Sequence, residues 1–266
     1  MTTTKDIFAL LDKKAPTAMK MEFDNVGHLI GRSDRTISRI LIALDITDEV
    51  IEEAITWNAE LIVAHHPVIF QPLSQIIDSD LAQRRILKLI RHDIAAICMH
   101  TNLDCAPGGV NDALAAAVGL VSTEILSPLG EIAGASYGLG RIGNLAKPQS
   151  MAQFLQTALR SLDTRGIRYH DAGRPVSRVA VMGGSGGGEL FRAAELGADT
   201  YLVGECKYNT FLDARELGVN LVEADHYCTE QIVCPCLKAW ICKVFLDLDV
   251  RISTRHSQTA RFYTEK

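Results

Sequence analysis

The sequence predicts an α/β fold of two lobes. A first lobe, built on a mostly parallel sheet, takes residues 1–125 together with 226–266, and a second α/β lobe, residues 126–225, is inserted into it. Three observations carry this reading. Apolar, β-branched runs alternate with amphipathic helical patterns. The runs are apolar almost throughout, as in parallel strands covered on both faces, and do not alternate residue by residue. A stretch rich in glycine and proline breaks the alternation between about 125 and 150, as at a domain boundary.

Taken in order, KDIFALLDK (5–13) puts Ile7, Leu10 and Leu11 on one helical face, and the glycine-bearing EFDNVGHLIGR reads as a loop. SRILIALDIT (38–47) is a strand running out at Asp45. DEVIEEAITWNAE is a helix with Val50, Ile51, Ala54 and Ile55 inward and acidic residues in its first turn, where the helix dipole favours them. ELIVAHHPVIF (60–70) and IAAICMHTNLD (94–104) are buried strands on either side of the amphipathic helix LAQRRILKLIRHD, and NDALAAAVGL is one more helix. The segment from about 125 to 150 reads as hairpin or meander. After it come a helix (SMAQFLQTALRSL), a strand with a glycine-rich turn (177–188), a helix (189–197), a strand (198–205), a helix (211–218) and a strand (219–227). The continuous run TEQIVCPCLKAWICKVF is expected to be a single helix, with RISTRH following.

Composition narrows the class. Of 266 residues, 47% are hydrophobic and 22% charged, ordinary for a globular protein and ample for a core without disulfide or metal staples. A net charge of −5 argues against a dedicated binder of phosphate backbones. No apolar run reaches the roughly 18 residues of a membrane span, and MTTTKDIFALLDKK lacks a secretory pattern, so a cytoplasmic protein with no membrane partner is expected. The seven cysteines then read as reduced thiols.

Polar residues gather where strands run out: His65-His66, His100 with Asp104, and Asp225-His226. In open α/β sheets the crevice beyond the carboxyl ends of the strands is where ligands bind. Neighbours on a strand point to opposite faces, so one ion takes both His65 and His66 only if the backbone bends, whereas two ions take one each. His226 and Glu230 are four apart and share a face if a helix has begun. Each element has an ordinary alternative: hydrogen-bonded histidines, a turn at Asn102–Gly109, a helix start capped at Thr229-Glu230. Together, His65, His66, Asp104, His226 and Glu230 exceed the three protein ligands of a usual catalytic zinc and suit two metals with a bridging carboxylate. Cys228, Cys234, Cys236 and Cys242 are expected to be buried, not ligands, since no Cys-x-x-Cys pair at finger spacing is present. The run Gly183–Gly188 fits either an anion-binding turn or tight strand-to-helix packing.

On FDNVGHLIG, VAHHPVIF, HTNLDCAPGGVNDALA, VMGGSGGG, VGECKYN and DHYCTE, the chain resembles the NGG-interacting-factor-three-like family, whose members carry the name GTP cyclohydrolase I type 2 homologue. The resemblance spans nearly the whole sequence. It implies two divalent metal ions per chain (zinc, iron, manganese, nickel or cobalt): His66 and Asp104 on one, His65 and His226 on the other, Glu230 touching both, and His100 close by. It also implies a homo-oligomer, a hexameric ring, and a small-molecule or nucleotide substrate. Two departures stand out: Asp225 where the family usually has glycine, and Gly204-Glu205-Cys206-Lys207-Tyr208-Asn209 where it often reads Gly-Asp-x-Lys-Tyr-His. The function expected is a metal-dependent hydrolase, GTP cyclohydrolase-like or acting on phosphoesters. The alternative is a non-enzymatic metal-binding regulatory or partner-binding protein. No catalytic residue is assigned, and His100 and Glu205 are the only weak acid–base candidates.

Overall fold

The structure is a computed structural model and describes residues 1–263. The chain begins with α1 (Thr4–Lys14), closed by a capping box in which Thr3 and Asp6 bond each other's backbone. Next come β1 (Gly27–Ile30), β2 (Arg39–Ala43), α2 (Asp48–Trp57), β3 (Leu61–Ala64), α3 (Leu81–Arg91), β4 (Ala95–Cys98) and α4 (Thr101–Cys105). Thr47 caps α2, whose Val50, Ile51 and Ala54 are buried, and Asp80 caps α3, which buries Ile86 and Leu89. β3 and β4 are buried at every residue, as their unbroken apolar sequence requires.

The chain then enters a second compact unit. Its elements are α5 (Val110–Ala117), the long hairpin β5 (Leu120–Ile132) and β6 (Ala135–Gln149), α6 (Met151–Ser161), β7 (Arg168–His170) and β8 (Val176–Met182). They continue with α7 (Leu190–Glu195), β9 (Thr200–Val203), α8 (Tyr208–Leu217), β10 (Asn220–Glu223) and α9 (His226–Glu230). Its six strands lie in the order β5-β6-β8-β9-β10-β7. β8, β9 and β10 are parallel, and the hairpin and β7 pair antiparallel at the two edges. One core, with Phe154, Val179, Val181, Leu202 and Val222, lies on one face of this sheet, and a second, with Ala180, Tyr201, Val203 and Leu221, on the other.

The chain returns to the first unit with α10 (Cys234–Val244) and β11 (Asp249–Ile252). That unit's sheet runs β1-β4-β3-β2-β11, parallel except for β1, which is antiparallel to β4. The α/β fold class and the mostly parallel sheet of the first unit agree with the sequence reading. The compact units are Met1–Ala106 with Val233–Ser257, and Pro107–Ile232 with Gln258–Lys266. The expected divisions lay at 125 and 226; α5 goes with the second unit because it packs on β5, β6 and β8, and α9 goes there because it packs on α5.

Three local expectations differ. Gly27–Ile30 is a strand, not a loop; its short span between Gly27 and Gly31 hid the pattern. Residues 168–170 form the edge strand β7, only three residues long. The run 229–245 is broken into α9, a 3₁₀ turn at Gln231–Val233 and α10, because Pro235 at the start of α10 lacks the amide a continuous helix would need. No helix among the described residues is long and apolar enough to cross a membrane.

Candidate metal centre

In the first unit three parallel strands end side by side. Ala43 pairs with Ala64 and Ala64 with Cys98, so Asp45, His65-His66 and His100 emerge along one edge of the sheet. The histidine pair escapes the opposite-face rule because the backbone bends. The amides of His65 and His66 both donate to the Leu44 carbonyl, at 3.1 and 2.9 Å. The rings of His65 and His66 are consequently 4.9 Å apart, and His100 lies 5.2 and 5.5 Å from them. One ring nitrogen from each of these three lies within 4.8 Å of the others.

Each ring is held by Nδ1. His65, fully buried, donates from Nδ1 to the Met99 carbonyl at 2.8 Å. His66 donates to Asp45 at 2.7 Å and His100 to Asp24 at 2.9 Å. An oxygen that fixes Nδ1–H leaves Nε2 as the nitrogen suited to a metal, the arrangement in which outer acceptors orient metal-binding histidines. His65 Nε2 faces Asp104 Oδ1 at 3.6 Å. That is too long for a hydrogen bond. Two donors each about 2.1 Å from one tetrahedral ion lie roughly 3.4 Å apart, so the pair is spaced as co-ligands of one ion, whereas the resemblance assigns His65 and Asp104 to different ions. Asp104 reaches this place because His100 immediately precedes α4 and the Asp104 amide donates to the His100 carbonyl at 3.1 Å, one turn on.

Asp24 and Asp45, which hold the His100 and His66 rings, are not among the site residues expected from the sequence. Asp24 is 5% exposed and accepts from His100, from the Thr101 amide at 3.0 Å and from the Thr101 hydroxyl at 2.5 Å. Burial pushes its carboxyl up, but the bonds from His100 and Thr101 outweigh this and hold it well below the usual carboxylate range. Asp45 is likewise raised by burial and held well below that range by the bonds from His256 and His66. The signal for Asp45 was present: it too is a carboxylate at the end of an apolar strand. Asp24 was hidden because β1, which sets it beside the end of β4, read as a loop.

In the second unit, His226 and Glu230 occupy one face of α9, with His226 Nε2 3.0 Å from Glu230 Oε2 and Nδ1 3.4 Å from Glu205. Glu230 is 4% exposed. A buried carboxylate calls for a cationic or hydrogen-bonding partner. The glycine run makes room for it. Gly184 has φ +61, and a Cβ there would sit 2.1 Å from Glu230 Oε1. Its amide donates to the Thr229 hydroxyl at 3.2 Å and that of Gly183 to Asn111 at 3.0 Å. Of the two readings of this run, close packing is the one realised at Gly183 and Gly184. Asp225 has φ +76 and ψ 136, backbone that favours glycine. Its carboxylate turns back to accept from the Cys228 amide at 3.2 Å, capping α9.

Among the described residues no disulfide joins any of the seven cysteines. Cys228 and Cys234 are buried as expected, and burial pushes both thiols up to about 12, so they stay protonated at neutral pH. Cys236 and Cys242 are only partly buried, which corrects the expectation; both stand on the amphipathic helix α10, whose buried face is Cys234, Leu237 and Ile241.

The model of the Duf34/NIF3 (NGG1p interacting factor 3) family matches residues 2–260. The GTP cyclohydrolase 1 type 2 homolog of Clostridium perfringens is 36% identical over 228 residues, covering 85% of this chain and 86% of that protein. The protein of the same name from Streptococcus pneumoniae is 35% identical over 217 residues, 80% of each. A crystal structure of a Bacillus cereus protein related to NIF3 superposes with a TM-score of 0.88 at 27% identity, covering 98% of this chain and 99% of that one.

Proposed function

The chain belongs to the Duf34/NIF3 family, and from that premise we propose that it is a dinuclear metal-binding protein acting as a metal-dependent hydrolase. His65, His66, Asp104, His226 and Glu230 are the proposed ligands of two divalent ions. The observation that carries the reading is the buried His65, its Nδ1 tied to Met99 and its Nε2 3.6 Å from a carboxylate oxygen. When bound, two such ions supply Lewis-acid polarisation and a water acidic enough to attack near neutral pH.

The chain's own residues have separable tasks in this reading. Asp45 and the Met99 carbonyl fix the tautomers of His66 and His65, so both present Nε2. Glu230, buried and backed by Gly184, supplies negative charge that offsets the repulsion between two cations where water is scarce. His100, tied to Asp24, stands beside the histidine pair as the candidate to hold or pass a proton. The relatives' name supports a nucleotide or other small heterocyclic substrate. We extend the proposal to a homohexamer, which light scattering on the purified chain tests.

The test of function is a turnover screen. Protein loaded separately with zinc, iron, manganese, nickel and cobalt is offered GTP, phosphoesters and cyclic amides. Metal-dependent turnover that is lost in His65→Ala supports the hydrolase. A fully loaded protein that turns over none of them overturns it and leaves the non-enzymatic metal-binding reading.

A further inference from the structure

After β11 the chain is fastened to α2 by a single carboxylate. Glu53 accepts from the Ser253 hydroxyl, from the Thr254 amide and hydroxyl at 3.1 Å each, and from the Arg255 amide at 3.4 Å. These bonds fix three consecutive residues immediately before His256. The His256 side chain is only 12% exposed, and its Nε2 lies 3.2 Å from Asp45 Oδ2. The other oxygen of the same carboxylate takes the Nδ1–H of His66 at 2.7 Å. His66, Asp45 and His256 thus form one chain of contacts within the first unit, joining a proposed ligand to a segment 190 residues further along (256 − 66). His256 lies beyond the last motif of the resemblance, which ends at Glu230.

We propose that His256 is a positioning residue for the metal centre: delivered by the Glu53 clamp, it donates Nε2–H to Asp45 and so fixes the direction in which Asp45 holds His66. The physical argument is one of orientation. A carboxylate on a short side chain with one bond rotates; with each oxygen engaged by a different ring, it does not. The Nδ1–H acceptor of His66 is then rigid, and Nε2 is aimed without a cost at the moment of binding. Glutamine at 256 can place an amide N–H close to where Nε2–H stands, whereas alanine cannot. The inference rests on the reading of His66 as a ligand.

The test is cobalt(II) titration of the full-length, metal-free chain, with affinity from chelator competition and geometry from the visible d–d bands. Three variants are compared after their melting temperatures confirm folding: His256→Ala, His256→Gln and His66→Ala. Removing an outer partner of a metal ligand costs roughly 10–100-fold in affinity, and His256 acts one link further out, so about tenfold weaker binding is expected for His256→Ala, with shifted bands. His256→Gln restores most of both. If His66→Ala abolishes a cobalt site while His256→Ala keeps wild-type affinity and bands, the positioning role is overturned and the metal reading stands. If His66→Ala itself leaves cobalt binding unchanged, the metal reading of His66 fails and the inference falls with it.

Discussion

Replacing Gly184 by alanine sets the glycine run directly against the proposed bridging carboxylate. At φ +61 a β-carbon costs on the order of 1 kcal/mol. The larger effect is positional. The new Cβ would lie 2.1 Å from Glu230 Oε1, whereas ordinary contact begins at 3.4 Å, so the carboxylate must retreat by about 1.3 Å (3.4 − 2.1). Metal coordination tolerates deviations of roughly 0.2 Å, so Glu230 in its present place is lost as a ligand while the sheet behind it survives. We predict a fall in melting temperature of a few degrees, at roughly 2–4 °C per kcal/mol for a chain of this size, and a marked fall in bound metal by elemental analysis. Gly188→Ala is the matched control: nothing lies within 4 Å of a Cβ there, and both stability and metal content should hold. A folded Gly184→Ala protein with a wild-type metal complement would refute the reasoning, since Glu230 could not then be ligating from where it stands.

Three further outcomes follow from the same geometry. Asp24→Ala strands the Thr101 amide and hydroxyl and the His100 ring; it should lower stability by about 3 kcal/mol in urea unfolding of metal-free protein. Because the Asp24 carboxyl is held below its unfolded value, its contribution is complete above about pH 4 and fades as pH falls further, so wild type and variant should converge only in strong acid. Asp225→Gly relieves a positive φ while forfeiting a cap for which glycine is a fair substitute, and should stabilise the protein by about 1 kcal/mol in thermal unfolding; a loss of stability would show that the cap outweighs the strain. Cys234→Ser with Cys236→Ser should leave metal content unchanged at some cost in stability from a buried hydroxyl, and native Cys234 should resist alkylation at pH 8; metal loss from the folded double variant would mean the ligand set is wrong.

What was legible in the sequence was the part governed by local pattern. The strands β2, β3 and β4 announced themselves as apolar runs, and the polar residues at their ends marked the edge where the first histidine cluster stands. What was hidden depends on partners far along the chain. Asp24 acquires its role from the antiparallel pairing of Gly27 with Cys98, and His256 from a clamp formed by Glu53, 203 residues earlier (256 − 53). The bend that lets adjacent histidines share one side needs the Leu44 carbonyl of the neighbouring strand, which no periodicity reveals. At Asp225 the sequence alone does not show the positive φ that the start of α9 requires.

Metal stoichiometry distinguishes two ions held by these five side chains from one. Metal-free, size-checked protein is saturated in turn with zinc, iron, manganese, nickel and cobalt, and bound metal is counted by elemental analysis. Two ions per chain are expected in the wild type, with one mainly lost in His65→Ala and both depleted in Glu230→Gln, where an amide coordinates without charge. At most one ion per chain with every metal would contradict this, and so would a Glu230→Gln protein that keeps both ions while Asp104→Asn loses both.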